Sequence, residues 1–209
     1  MKFYDCSTAP SPRRVRIFLA EKGVELPTVQ VDLRNGEHLQ PEFRRINPWA
    51  TVPALALDDG ATITEAVAIC RYIEETWPDP PLMGRDARDK AVVAMWEHRC
   101  EIDGFLPAQD AFRNASKGMK GRALTGVDGV EQIPELAERG RMRVRRFFRV
   151  LDERLAESPF VAGGHFTIAD ITALVAVDFA GWIKLGLPDD HTHARRWHQE
   201  VSARPSAKA

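Results

Sequence analysis

No stretch of the 209 residues is apolar for long enough to cross a bilayer. The opening Met1-Lys2-Phe3-Tyr4-Asp5-Cys6 turns polar too early for a secretory signal. Together these two absences predict a soluble, cytoplasmic chain. Cysteine is scarce: Cys6, Cys70 and Cys100 stand far apart, and no CxxC pair exists. Neither a disulfide framework nor a zinc site is encoded, so reduced thiols in a reducing compartment and no metal are expected. An excess of one charge is missing too. Lys and Arg number 29 against 30 Asp and Glu, for a net charge of −1, so no global field draws the chain to nucleic acid or anionic lipid. Internal repeats and low-complexity tracts are absent. What remains is ordinary globular material, 44% hydrophobic and 28% charged.

The first part of that material alternates strand and helix signals. Lys2-Phe3-Tyr4 is a short strand. Ser11-Pro12 suits the start of a helix, Ser as N-cap and Pro at the first helical position. Val15, Phe18 and Leu19 supply its apolar face, and Gly23 its stop. Thr28 to Asp32 reads as a second strand, followed by a loop through Asn35-Gly36 and a short helix over Glu42 to Ile46. Val52 to Leu57 and Ala61-Thr62-Ile63 flank Asp58-Asp59-Gly60, a hairpin signal. Thr64 then caps a helix carrying Ala66, Ile69 and Ile73. The order β-α-β-α-β-β-α predicts a mixed sheet. Pro78, Pro80, Pro81 and Gly84 mark a linker. Beyond it the strand signal vanishes, and helices are expected over Ala87 to Ser116, Glu131 to Glu157, Ile168 to Leu185 and His193 to Ala203. Lys117 to Gly129, rich in glycine, reads as a loop. The division is therefore 1–77, a linker 78–86, and an all-helical 87–209. The arginines from Arg139 to Arg154 do not make a nucleic-acid patch. Val144, Phe148, Leu151 and Leu155 fall on one side of that helix and the charges on the others.

Three places can carry chemistry. In Thr51-Val52-Pro53 the proline either opens a strand as an ordinary trans residue or, if cis, leaves the Val52 N–H and C=O free to pair with an extended peptide. At Thr64-Glu65-Ala66 a helix N-terminus offers free N–H groups to a carboxylate, with a glutamate beside it for an ammonium; a plain capped helix is the alternative. The loop Cys6-Ser7-Thr8-Ala9-Pro10-Ser11 feeds the first helix, where a thiolate would be stabilised. Pro12 has no N–H, so the donors there are the Arg13 and Arg14 N–H groups and the Ser11 hydroxyl, unless Ser11 is simply a cap.

These pieces recur in order in one family. The stretches Ser11-Pro12-Arg13-Arg14-Val15-Arg16, Gly36 to Phe43, Ile46-Asn47-Pro48 with Thr51-Val52-Pro53, and Ile63 to Ile69 closely resemble glutathione transferases. So does Gly163-Gly164-His165-Phe166-Thr167-Ile168-Ala169-Asp170, where Thr167 and Asp170 form a capping-box variant that should nucleate a helix. The resemblance implies an α/β thioredoxin-like first domain, an all-α second domain and a homodimer. Glutathione would be the co-substrate. Pro53 would be cis, with Val52 pairing to the cysteinyl backbone beside Thr51. Glu65 and the Ala66 N–H would hold the γ-glutamyl end, and His38 would lie near the glycine carboxylate. An acid of the neighbouring subunit's long helix, Glu101 or Asp103, would touch glutathione in the dimer.

The sequence also departs from the family. Ala9 stands where a Tyr, Ser or Cys usually meets the sulfur, Ala66 where a Ser is common, and Ala50 where a second His sometimes stands. The pattern most resembles a bacterial and fungal branch that lacks the usual side chain. Thr8, Ser11 and Arg13 are then the candidates for settling the thiolate. Leu106, Asp110, Arg113 and Asn114 are the candidates for the electrophile pocket. Cys6 has no partner three residues on and reads as a small buried hydrophobe. The expected activity is conjugation of glutathione to a small hydrophobic electrophile. The alternatives are glutathione-dependent disulfide reduction and a non-catalytic binding or assembly role. A zeta-type isomerase is disfavoured because its Ser-Ser-Cys loop is absent.

Overall fold

The computed structural model describes residues 1–209. Four short strands form one mixed sheet in the order β2-β1-β3-β4: β1 (Lys2–Asp5), β2 (Thr28–Gln30), β3 (Ala54–Ala56) and β4 (Thr62–Thr64). β1 pairs parallel with β2 and antiparallel with β3, and β3 pairs antiparallel with β4. The connection from β1 to β2 is α1 (Pro10–Lys22), a crossover that a parallel pair requires. Its inner face, Val15, Phe18 and Leu19, is buried together with Ile69 and Ile73 of α3 (Ala66–Thr76). Gly23 ends α1 at φ 63°, the left-handed conformation that glycine adopts without strain. On the short α2 (Pro41–Arg44), Phe43 sets its ring edge-on to Tyr4 of β1 at 6.1 Å. Asp5, buried at the end of β1, is balanced by Arg16 Nη1 at 2.6 Å and Gln30 Nε2 at 2.7 Å.

After α3 no regular element occurs until α4 (Ala87–Cys100). This connecting stretch is pinned by a buried pair, Lys22 Nζ to Glu74 Oε2 at 2.6 Å. Glu74 also accepts from the N–H groups of Leu82 and Met83 at 3.1 and 3.0 Å. The rest is helical: α5 (Leu106–Ala115), α6 (Pro134–Glu157), α7 (Ile168–Gly181) and α8 (Thr192–Ser202). α7 is buried on nearly every face and packs on both α1 and α4. Thr167 and Asp170 form the expected capping box. The Asp170 carboxylate takes the N–H of Thr167 at 3.0 Å and of Val161 at 2.9 Å, and the Trp197 indole at 2.9 Å. Val144, Phe148, Leu151 and Leu155 are buried on α6, as the amphipathic reading requires. The mixed sheet, the all-helical second part and the helix order thus follow the sequence.

Several local expectations do not hold. The first helix begins at Pro10 with Ala9 as its N-cap, so Ser11 lies inside the first turn and is no cap. Thr64 is not a cap either. It closes the β3–β4 ladder opposite Ala54, and α3 starts after Glu65. The long helix after the linker is interrupted by a π-helical turn, Glu101–Phe105. There Gly104 lies so close to α6 that a Cβ would sit 2.7 Å from the Phe147 ring, and the extra residue rotates the phase of everything after it. Cys6 is partly exposed, its Sγ 3.5 Å from Thr8 Oγ1, because it lies in the loop beyond β1 and not in the ladder. No helix is long and apolar enough to cross a membrane.

Candidate functional site

A cavity of about 410 Å³ opens where the loop before α1, the segment before β3 and the second half of the chain meet. Its floor is the entry to α1. Pro10 and Pro12 have no N–H, and Arg13 N–H reaches the Ala9 carbonyl only at 3.4 Å. The Ser11 N–H has no partner in the chain, an orphan donor at the positive end of the helix. The Ser11 hydroxyl accepts from Arg14 Nη2 at 3.1 Å. Its own proton is therefore free to be donated into the cavity. Arg14, only 4% exposed, is locked in turn by Glu101 Oε1 at 3.1 Å and lies over the Phe105 ring, 4.3 Å from its centre. Thr8, Ala9 and Ser11 all line the cavity.

One wall is Ala50, Thr51 and Val52. The buried Asn47 holds this corner, its Nδ2 donating to the Thr51 carbonyl at 2.8 Å. The Val52–Pro53 peptide is cis. The Val52 N–H and C=O take no partner within the chain. Glu65 lies beyond this wall with φ 67° and an exposed side chain. A non-glycine residue held there costs about 1–3 kcal/mol, a strain that concentrates at ligand-holding positions. The N–H groups of Ala66 to Ala68 precede the first helical bond of α3, Ile69 N–H to the Glu65 carbonyl at 3.0 Å.

The opposite wall comes from the second half. Phe112, Phe179 and Trp182 form a cluster with ring centres 5.1–5.6 Å apart, Trp182 edge-on to both phenylalanines, and Phe105 joins Phe179 at 5.7 Å. The loop after α5 is clasped over the mouth. Arg122 Nη2 donates to the Leu33 carbonyl at 2.7 Å, and Arg113 Nη1 holds the Arg122 and Leu124 carbonyls. Gly126 passes so near Trp49 that a Cβ would lie 2.0 Å from its carbonyl oxygen. His38 is buried at the same mouth, and its Nδ1 has no partner. Burial lowers its basicity, and the charges of Arg122, Arg113 and Arg44 lower it further.

The candidates therefore divide. Thr8, Ser11, His38, Thr51, Val52 and Arg113 meet at one cavity; Pro53, Glu65 and Ala66 do not line it, Pro53 following Val52 in the chain and Glu65 following Thr64, which pairs with Ala54. Arg13 does not join them: it does not line the cavity, and its N–H, the donor expected there, is directed at the Ala9 carbonyl at 3.4 Å. Its guanidinium braces the two halves, on Asp178 Oδ2 at 2.6 Å and the Ala207 carbonyl at 3.0 Å. Leu106, Asp110 and Asn114 do not line the cavity either, because the π turn leaves them off the face that carries Phe105, Gln109, Phe112 and Arg113. Leu106 is exposed, and Asn114 caps Ile133 N–H at 2.9 Å. Asp110 faces Arg139 and Arg143, and burial raises its pKa. Glu101 and Asp103 are engaged within the chain, on Arg14 and on Arg99 and Arg143. Sequence reasoning considered only the Arg14 N–H and missed its side chain, Arg122 and the aromatic cluster. Arg14 lies four residues before Phe18 on the inward face of α1, a legible anomaly. Phe179 and Trp182 are one turn apart and could have been read as a pair.

The Glutathione S-transferase N-terminal domain model matches residues 8–76, and the Glutathione S-transferase C-terminal domain model residues 97–205. The chain belongs to the glutathione S-transferase family. Glutathione S-transferase 2 of Saccharomyces cerevisiae is 36% identical over 210 residues, which is 100% of this chain and 88% of that protein. Among solved structures, a glutathione S-transferase domain-containing protein of Marinobacter aquaeolei has a TM-score of 0.92 at 38% identity, covering 99% of both chains. Gtt2 from Saccharomyces cerevisiae has a TM-score of 0.92 at 36% identity, covering 100% of this chain and 99% of that one. The thioredoxin-like first part and the helical second part of this glutathione S-transferase are thus the family's architecture, matched along the whole chain.

Proposed function

We propose that the protein joins the thiol sulfur of glutathione to a small electrophile, glutathione lying on the first domain (1–77) and the electrophile against the second (87–209), with 78–86 as the linker. The observation that carries this reading is the unpartnered Val52 main chain facing the orphan Ser11 N–H across one cavity. An extended γ-glutamyl tripeptide would pair its cysteinyl backbone with Val52, as a strand added to an edge. Its γ-glutamyl carboxylate meets the start of α3 and its ammonium Glu65. Its glycine carboxylate lies toward His38.

The sulfur then reaches the mouth of α1. Two donors serve it there, the Ser11 N–H and the Ser11 O–H, the latter aimed by Arg14. Both stabilise the thiolate more than the thiol, so the thiol pKa falls and more nucleophile is present at neutral pH. Ala9 contributes no side chain, so this glutathione S-transferase works with backbone and a borrowed hydroxyl. The thiolate lone pair forms the carbon–sulfur bond as the leaving group departs with its own pair, the thiol proton having gone to solvent. Pre-positioning and exclusion of water by the aromatic wall supply the rest. The cavity's aromatic wall favours conjugation over the disulfide-reducing alternative, since it presents a flat apolar surface to the acceptor.

Isothermal calorimetry with glutathione, followed by parallel assays of aryl halide conjugation and hydroxyethyl disulfide reduction, tests this. Binding with conjugation is expected. No uptake at millimolar glutathione would remove the reading altogether. Binding without either reaction would leave only a non-catalytic role. A cytoplasmic homodimer completes the proposal, and light scattering at micromolar concentration should show twice the 23.5 kDa chain mass.

A further inference from the structure

The lining of the cavity is electrically one-sided. Arg34, Arg113 and Arg122 face it, and none of its lining residues is Asp or Glu. Asp128, an exposed residue of the overlying loop, is not among them. The arginines that brace the two halves together are matched with acids, Arg13 with Asp178, Arg14 with Glu101 and Arg204 with Glu21. Arg34, Arg113 and Arg122 have no carboxylate partner at all. Arg113 spends only Nη1 on carbonyls and Arg122 only Nη2, so their other N–H groups take no partner in the chain. Burial makes the Arg113 guanidinium harder to keep charged, and the nearby Arg122 charge adds to this, an arrangement that an anion relieves.

On the reading above, one carboxylate of glutathione comes to this mouth, on the first-domain side with His38. It neutralises one charge. Arg113 and Arg122 belong to the second half, the wall that holds the acceptor, and Arg113 follows Phe112 directly on the cavity face of α5. The acceptor pocket thus has an aromatic end, Phe112 with Phe179 and Trp182, and a cationic end. We propose that the preferred electrophile is a planar, aromatic or conjugated molecule that itself carries a carboxylate, its ring on the aromatic cluster and its anion on Arg113 and Arg122. The inference rests on the glutathione-transfer reading and narrows its substrate class.

The test compares 4-chloro-3-nitrobenzoate with its methyl ester, which differ in charge and not in the reacting carbon. In both, the glutathione thiolate attacks the chlorine-bearing carbon, the carbon–sulfur bond forms, and chloride leaves with the bonding pair. Each kcat/KM is divided by the uncatalysed rate with free glutathione. The carboxylate is expected to be favoured about ten- to a hundredfold, the range of one or two charge-assisted hydrogen bonds. Raising salt from about 20 mM to about 500 mM should shrink that ratio chiefly through the carboxylate's KM, as screening of a partly exposed pair predicts. Arg113→Gln and Arg122→Gln should each lower the carboxylate rate more than the ester rate. The salt series on the unmodified protein keeps the outcome readable if a variant loosens the loop. An ester used as well as the acid, with no salt effect on the ratio, overturns the inference and leaves glutathione transfer standing. Turnover of neither compound overturns both.

Discussion

At the scale of single residues, the site depends on a hydroxyl that the sequence presents as a cap and the structure presents as a donor. Ser11 is free to donate because Arg14 occupies its lone pair at 3.1 Å. Arg14 can be there only because Glu101 and the Phe105 ring balance a guanidinium that is 4% exposed. A charge-assisted hydrogen bond contributes about 1.5–3 kcal/mol, and one pKa unit is about 1.4 kcal/mol. Ser11→Ala should therefore raise the pKa of bound glutathione by about one unit and lower kcat/KM at neutral pH about tenfold. The pH–rate profile measures both, and an unmoved acid limb would show that Ser11 is only structural. Arg14→Leu should shift the same limb, because the hydroxyl loses its orientation. It should also reduce stability, because Glu101 keeps a charge without its partner.

At the scale of elements, α7 is the post on which the second half stands. Its N-terminus is closed by Asp170, which satisfies two backbone N–H groups and the Trp197 indole at once. Burial pushes the Asp170 carboxyl up to about 6, and the hydrogen bonds from Val161, Trp197 and Thr167 work against that push. Removing such a group strands three buried donors, each costing about 1–3 kcal/mol. Asp170→Ala should thus destabilise by several kcal/mol, roughly 3–5, as read by urea unfolding monitored at Trp197. A loss below that of an ordinary surface substitution would contradict the role. The motif was legible in the sequence because a capping box is local, three residues apart on one turn. The π turn at Glu101–Phe105 was not legible. It answers to the contact of Gly104 with Phe147, which is 43 residues away in sequence and adjacent only in space.

At the scale of the whole molecule, the two halves meet over buried charge. Glu97 of α4 lies close to Arg14 and Glu101 and accepts from Thr172 Oγ1 at 3.3 Å. Burial, and then the Glu101 charge, push its carboxyl up to about 7. A carboxyl whose pKa rises on folding binds its proton more tightly in the native state. Its contribution is fully present below the unfolded value of 4.5 and is lost as pH rises through about 7. Glu97→Gln cannot ionise, so its unfolding free energy relative to the unmodified protein should improve between pH 5 and pH 8, by on the order of 1–3 kcal/mol. Denaturant melts at both pH values measure this, and parallel curves would refute it. Asp178 behaves in the opposite sense. Burial works against its charge, but His198 and Arg13 hold its carboxyl below the ordinary range. That brace between the halves is present above the unfolded carboxylate pKa and is lost as pH falls through the native one.

The sequence by itself determined what is local or periodic. That covers the mixed sheet from its βα order, the helices from their apolar faces and the α7 capping box. Each of these is written within a few residues, where backbone geometry and side-chain spacing are enough. Only the tertiary structure decided which way side chains point once distant segments meet. It turned Arg13 onto Asp178 and away from the cavity, and pinned Arg14 on Glu101. It also rotated Leu106, Asp110 and Asn114 off the pocket face and gathered Arg113 and Arg122 beside the Phe179 and Trp182 rings. The physical reason is that a charged side chain several bonds long is directed by whatever partner packing supplies, and that partner lies dozens of residues away along the chain.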